Sequence, residues 1–156
     1  MSAAEDAVVI ALGNRFRGDD GVALWVADRL SGLGGRSVVV EGSVDPMTII
    51  NAWQGAGLAV VVDAAASGAL PGTIRRFEGD ARLLPKDVAR CSSHGLGLTE
   101  AWELGRALGR IPDRLVVYTV EAGTFEPGNV LSADVAPAVE SVVERVTAEI
   151  NSFNQR

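Results

Sequence analysis

Two short stretches of this chain carry no polar side chain at all. Residues 7–12 read Ala-Val-Val-Ile-Ala-Leu, and residues 58–62 read Leu-Ala-Val-Val-Val before Asp63. A strand with one face in water alternates apolar and polar residues, whereas an unbroken run of Val and Ile marks a strand covered on both faces. Covering both faces takes helices, and the chain supplies their patterns between its strands. Val22, Trp25, Val26 and Leu30 form one apolar stripe, stopped by Gly32, Gly34 and Gly35. Asp45 as N-cap and Pro46 at the first helical position predict a short helix after a strand at residues 37–41. Residues 73–77 alternate apolar and basic side chains, as an exposed or edge strand does. Residues 79–93 read as loop. Leu98, Ala101, Trp102, Gly105 and Leu108 mark a further helix, and residues 114–120 a further strand. Val135, Val139, Val142, Val143, Val146, Ile150 and Phe153 hold helical spacing to the end.

Strands alternating with helices imply an α/β fold: an open, mostly parallel sheet of about five strands with helices on both faces. At 156 residues the chain is one domain long, and no repeat or linker divides residues 1–156. In such sheets the ligand crevice lies beyond the carboxyl ends of the strands, where the winding direction reverses. Polar residues that follow strands are therefore the first candidates for function.

Hydrophobic residues make up 47% and charged residues 22%, a balance that suits a folded globule. The net charge of -6 repels phosphate backbones and anionic headgroups, so neither nucleic acid nor a membrane surface is expected as partner. Arg75-Arg76 reads as the solvated face of a strand. The one cysteine, Cys91, cannot form an internal disulfide. Residues 1–6 are acidic and small, unlike a signal peptide, and no apolar run approaches the roughly 20 residues that span a bilayer. The expected location is the cytoplasm.

Three places carry chemistry. The loop after the first strand, Gly13-Asn14-Arg15-Phe16-Arg17-Gly18-Asp19-Asp20-Gly21, brings two adjacent carboxylates to the start of a helix. One of them suffices as a helix cap, which leaves the other free to face the crevice. Asp63 ends a central strand, where a buried carboxylate needs a partner: loop amides, or a metal ion. His94, the single histidine, sits among small residues in Cys91-Ser92-Ser93-His94-Gly95 just before a helix. One carboxylate of the Asp19-Asp20 pair, with Asp63 and His94, would form a mixed oxygen and nitrogen set suited to a borderline divalent ion, and three protein ligands leave coordination positions open. The spacing matches no local metal motif such as HExxH. Other chemistries fit worse: the loop lacks GxGxxG and GxxxxGK, no GxSxG is present, and Cys91 with His94 as nucleophile and base rests on sequence proximity alone.

These segments resemble the nickel-iron hydrogenase maturation protease family at four places in the right order, over nearly the whole chain. The first is the strand and loop from Val8 to Gly21, with Gly13-Asn14 and then Asp19-Asp20-Gly21. The second is Val60-Val61-Val62-Asp63-Ala64, and the third Ser93-His94-Gly95-Leu96-Gly97-Leu98. The fourth is Glu126-Pro127-Gly128, then Leu131-Ser132 before a Val-rich helix. Two positions depart from the family pattern. Ala23 stands where a glycine is usual, and Glu41-Gly42-Ser43 replaces a segment close to Asp-Gly-Gly linked to substrate handling.

The resemblance implies a three-layer, phosphorylase/hydrolase-like fold. It implies an endopeptidase that removes the C-terminal extension of a hydrogenase large-subunit precursor after nickel insertion. Nickel, brought by the precursor, would be engaged by Asp20, Asp63 and His94, and no organic cofactor is implied. Gly42 and Ser43 become candidate substrate contacts, and Asp19, when not a cap, a candidate general base. The free protein is expected to be a monomer. Two other readings use the same residues differently: a nickel-checking chaperone that docks without cutting, and a peptidyl-tRNA hydrolase-like enzyme suggested by Leu12-Gly13-Asn14. The latter lacks the family's Pro-Gly and nearby histidine.

Overall fold

A computed structural model describes residues 6–31, 36–79 and 86–155. The strands are β1 (Ala7–Gly13), β2 (Arg36–Glu41), β3 (Leu58–Ala65), β4 (Ile74–Gly79) and β5 (Arg114–Glu121). They form one sheet in the order β2-β1-β3-β5-β4, with β4 alone antiparallel. Every residue of β1 and β3 is buried, as their unbroken apolar runs require. The edge positions fall to β2 and β4, whose charged and alternating sequences tolerate water on one side.

The pleat sorts side chains between two cores. Val9 and Ala11 of β1, Val60, Val62 and Ala64 of β3, and Val116 and Val120 of β5 point to one face. There they meet α1 (Val22–Leu30) through Val22, Val26 and Leu30, and α5 (Ala136–Asn154) through Val139, Val142 and Val146. Val8, Ile10 and Leu12 of β1, Ala59 and Val61 of β3, and Leu115 and Val117 of β5 point to the other face. There they meet α2 (Pro46–Trp53) through Ile49, Ile50 and Trp53, and α4 (Gly95–Leu108) through Leu98, Ala101 and Trp102. Trp53 and Trp102 pack edge to face at 5.7 Å, and the Trp53 indole donates to the Arg110 carbonyl at 3.0 Å. The result is the three-layer α/β arrangement read from the sequence.

Local signals act as expected at α2, where Asp45 accepts from the Met47 amide at 3.0 Å and Pro46 opens the helix. Residues 79–93 differ from their loop reading: Gly79 still belongs to β4, and α3 (Lys86–Cys91) forms a short helix whose Val88 enters the second core. Six residues are too few for apolar periodicity to show. Residues 80–85, the glycine stop at 32–35 and the acidic start at 1–5 lie outside the described residues. Among the described residues no helix is long and apolar enough to cross a membrane.

The winding reverses at β1. From it the chain goes to β2 on one side and then to β3 on the other, so the carboxyl ends of β1 and β3 flank the switch point.

At the opposite edge, α5 is pinned to the sheet by Glu149. Its Oε1 accepts from Arg76 Nε at 2.6 Å and from the Tyr118 hydroxyl at 2.9 Å, and Arg76 also reaches Glu78 at 2.8 Å. Burial opposes ionisation of Glu149, but the hydrogen bonds from Arg76 and Tyr118 prevail and hold its carboxyl below the ordinary value. A depressed carboxyl stabilises the fold above its unfolded-state value and loses that contribution as pH falls through the folded-state value. Because Arg76 is partly exposed, Glu149→Gln is expected to cost only about 1 kcal/mol at neutral pH. In urea melts at pH 7 and pH 3.5 the difference from wild type should shrink at the lower pH. An unchanged difference would contradict this assignment.

Candidate metal centre

Asp63 lies at the carboxyl end of β3, fully buried, with its side chain on the α2/α4 side of the sheet. The chain segment that opens α4 is tied directly to this strand end. The Ser93 amide donates to the Ala64 carbonyl at 2.8 Å, and the Ala66 amide to the Cys91 carbonyl at 3.0 Å. These bonds place His94 beside Asp63. The Asp63 carboxylate accepts from the His94 amide at 2.9 Å, its own neighbour's amide at Ala64 at 2.9 Å, and the Ser92 hydroxyl. His94 Nδ1 stands 2.8 Å from Asp63 Oδ1. Gly95 makes the approach possible, since a Cβ there would sit 2.5 Å from the Val88 carbonyl oxygen of α3.

Asp20 reaches the same point from the other side of the switch. Asn14 turns the loop by accepting from the Phe16 amide through Oδ1 at 3.0 Å, and a 3-10 turn at Gly18–Gly21 follows. A Cβ on Gly13 would lie 2.1 Å from the Asp20 carbonyl oxygen, so only glycine lets β1 and the acidic pair come together. Asp20, Asp63 and His94 each offer an atom within 4.8 Å of the others. Ser93 Oγ stands among them, 3.2 Å from Asp20 Oδ1, 3.3 Å from Asp63 Oδ1 and 3.1 Å from His94 Nδ1.

The electrostatics are those of a crowded anionic site with one base. The hydrogen bond to Asp63 raises the His94 imidazole above its ordinary value against the cost of burial, and the charges of Asp63 and Asp20 add to the rise. Burial pushes the Asp20 carboxyl up, opposed by His94, reinforced by the neighbouring Asp63, and opposed again by Ser93. Asp63 is fully buried while His94 keeps 16% of its side chain exposed, so the cluster reaches solvent on the histidine side. Two carboxylates and an imidazole at this spacing could hold a divalent ion of zinc or nickel type.

Asp19 differs from both sequence readings. It caps no helix: neither Arg17 nor Gly21, the residues at the two helix starts, makes a side-chain cap, and the Asp19 carboxylate turns to a remote segment instead. It accepts from the amides of Gly123 (2.8 Å), Thr124 (3.0 Å) and Ser132 (2.8 Å) and from the Ser132 hydroxyl (2.8 Å). Burial works against its ionisation, yet the bonds from Ser132, Gly123 and Thr124 hold its carboxyl below the ordinary value. A carboxylate so occupied is a poor general base. The same segment closes on the loop through Gly18 N to Gly128 O and Gly128 N to Phe16 O, both 2.9 Å. Cys91 is buried and takes a hydrogen bond from Arg75 at 3.1 Å, while His94 Nδ1 faces Asp63, so the cysteine and histidine do not act as a pair.

At the end of β2, Gly42 has φ +87 and donates to the Gly13 carbonyl at 3.0 Å, and Ser43 is exposed. No residue other than glycine has positive φ among those described, so Ser43 needs no glycine-like freedom. A groove of about 470 Å³ between α1 and α5, lined by Trp25, Val130, Leu131 and Val139, lies away from the cluster and contains none of its residues.

Residues 28–149 match the family model described as hydrogenase maturation protease. The chain belongs to the hydrogenase maturation protease family. It is a peptidase, and its fold is the one seen in solved members. The hydrogenase maturating endopeptidase HybD from E. coli superposes with a TM-score of 0.76 at 20% identity, covering 94% of this chain and 93% of that one. The NiFe hydrogenase maturation protease HybD from Thermococcus kodakarensis gives 0.77 at 26% identity, covering 93% and 99%. A curated relative, the hydrogenase expression/formation protein HupD of Thiocapsa roseopersicina, is 23% identical over 154 residues, 92% of this chain and 69% of its own length.

Within this maturation protease Asp19 is a structural staple. Asp19→Ala strands the amides of Gly123, Thr124 and Ser132 and is expected to cost about 3 kcal/mol or more in urea denaturation. Asp19→Asn, which keeps one acceptor oxygen, should cost about 1–2 kcal/mol. An alanine variant within 0.5 kcal/mol of wild type, roughly the range of neutral surface changes, would contradict the assignment.

Proposed function

We propose that the protein removes the C-terminal extension of a nickel-loaded hydrogenase large-subunit precursor, and that Asp20, Asp63 and His94 engage the nickel. One observation carries this reading: two carboxylates and one imidazole from three distant segments come within 4.8 Å at the mouth of the sheet. The family supplies the reaction class, and the relatives are named for hydrogenase maturation. The nickel belongs to the substrate. The chain's own residues provide donors for the ion's open coordination positions, so that a precursor carrying the ion docks with its C-terminal segment in the crevice and an empty one does not.

Asp20 and Asp63 supply negative charge and His94 a borderline nitrogen donor. The backbone ties around Asp63 keep its carboxylate in place before the ion arrives, which lowers the cost of binding. Gly42 and Ser43, just after the edge strand next to β1, are the residues we assign to contact the extension. The reaction belongs in the cytoplasm, with the free protein acting as a monomer and requiring no organic cofactor.

The test is mass spectrometry of a large-subunit precursor incubated with the protein, with and without prior nickel loading. Only the loaded precursor should be shortened. Asp20→Asn and His94→Ala should slow the cut by at least about 100-fold, the upper end of losses seen when even indirect metal partners are removed. Equal cleavage of both precursors would remove the nickel-recognition step, and binding of loaded precursor without any change in its mass would leave a docking protein rather than a processing one.

A further inference from the structure

Among the described residues, Ser93 carries the one hydroxyl within hydrogen-bond distance of all three members of the cluster. Its Oγ lies 3.2 Å from Asp20 Oδ1, 3.3 Å from Asp63 Oδ1 and 3.1 Å from His94 Nδ1. The position is not an accident of a free side chain, because the Ser93 amide is bonded to the Ala64 carbonyl at 2.8 Å and so is fixed to the end of β3. Ser93 is exposed, whereas Asp20 and Asp63 are buried.

The distances distinguish two places that Oγ could take relative to an ion. An ion bound by nitrogen and oxygen donors sits about 2.0–2.2 Å from each, and donors around it then stand about 3.0–3.4 Å apart. At 3.1–3.3 Å from an atom of each of the three residues, Oγ is within hydrogen-bond reach of each, and the same spacing suits another donor around the ion rather than the ion itself. The hydrogen count points the same way. One hydroxyl hydrogen serves one carboxylate at a time, so the remaining oxygen faces a lone pair of Oγ. A cation relieves that crowding.

We infer that Ser93 is a fourth donor of this site, its hydroxyl oxygen joining Asp20, Asp63 and His94 around a divalent ion of nickel type. The inference rests on the proposed role of the three residues and adds a fourth to them. The hydroxyl binds through a lone pair and keeps its hydrogen, which remains available to a carboxylate. One neutral oxygen added to two carboxylates and an imidazole strengthens the hold without adding charge, and in an octahedral ion still leaves positions for the donors of the precursor.

The experiment is a titration of the free protein with Co²⁺ and Ni²⁺ to millimolar concentration, followed by calorimetry and by absorption. Ser93→Ala should bind at least tenfold more weakly than wild type, and Ser93→Thr, which keeps the hydroxyl, should bind within threefold. Ser93→Cys in a Cys91→Ser background should show a sulfur-to-cobalt charge-transfer band that Cys91→Ser alone lacks, since a thiolate at position 93 would then touch the ion. Circular dichroism verifies that each variant is folded. If Ser93→Ala binds as tightly as wild type, or the Ser93→Cys protein shows no new band, Ser93 is not a donor. If wild type itself binds neither ion, or Asp20→Asn and His94→Ala bind as well as wild type, the role of the three residues fails first.

Discussion

The hydrogen bonds that fasten the segment before α4 to the end of β3 are the constraint on which the rest of the site depends. Ser93 N to Ala64 O and Cys91 O to Ala66 N bring a histidine from a separate helix to a buried strand-end carboxylate. Asp63 then accepts from backbone and side chains of the same segment, so the tie and the site are one unit. A charge at zero exposure is expensive unless it is met by donors. Here the donors are supplied by the element that must be positioned, and the cost of burying Asp63 is offset by bonds that also hold His94.

The acidic loop is governed by a second fastening. Asp20 reaches the cluster because Asp19, its neighbour, is locked to Gly123, Thr124 and Ser132 far along the chain. Adjacent carboxylates thus divide the work: one is saturated by amides and fixes the loop, and the other is left with Ser93 and the space beside Asp63 and His94. Their protonation follows the same division, with Asp19 held down by its donors and Asp20 pushed up by burial and by Asp63.

Much of this was legible in the sequence, and the boundary is physical. The covered strands announced themselves because burial on both faces demands unbroken Val and Ile, and β1 and β3 are indeed wholly buried. Asp63 and His94 stand out by position, at a strand end and before a helix, while the choice of Asp20 from the acidic pair comes from the family resemblance; the fold brings the three together. The part played by Asp19 was not legible: an acidic residue at a helix start looks like a cap, and its real partners lie more than a hundred residues away. Helix α3 was too short to show a period. Ser92 and Ser93 read only as small residues. The visible signal was two hydroxyls directly before the single histidine, but which carboxylates they meet depends on the strand-end ties.

The claim at the centre of this account is that one nickel ion is shared by Asp20, Asp63 and His94, and nickel-edge anomalous diffraction from crystals of the protein exposed to a nickel salt addresses it directly. The account predicts one strong peak about 2.0–2.2 Å from a carboxylate oxygen of each aspartate and from an imidazole nitrogen, the bond lengths of such donors. A peak elsewhere on the molecule, or none at saturating nickel, would contradict it.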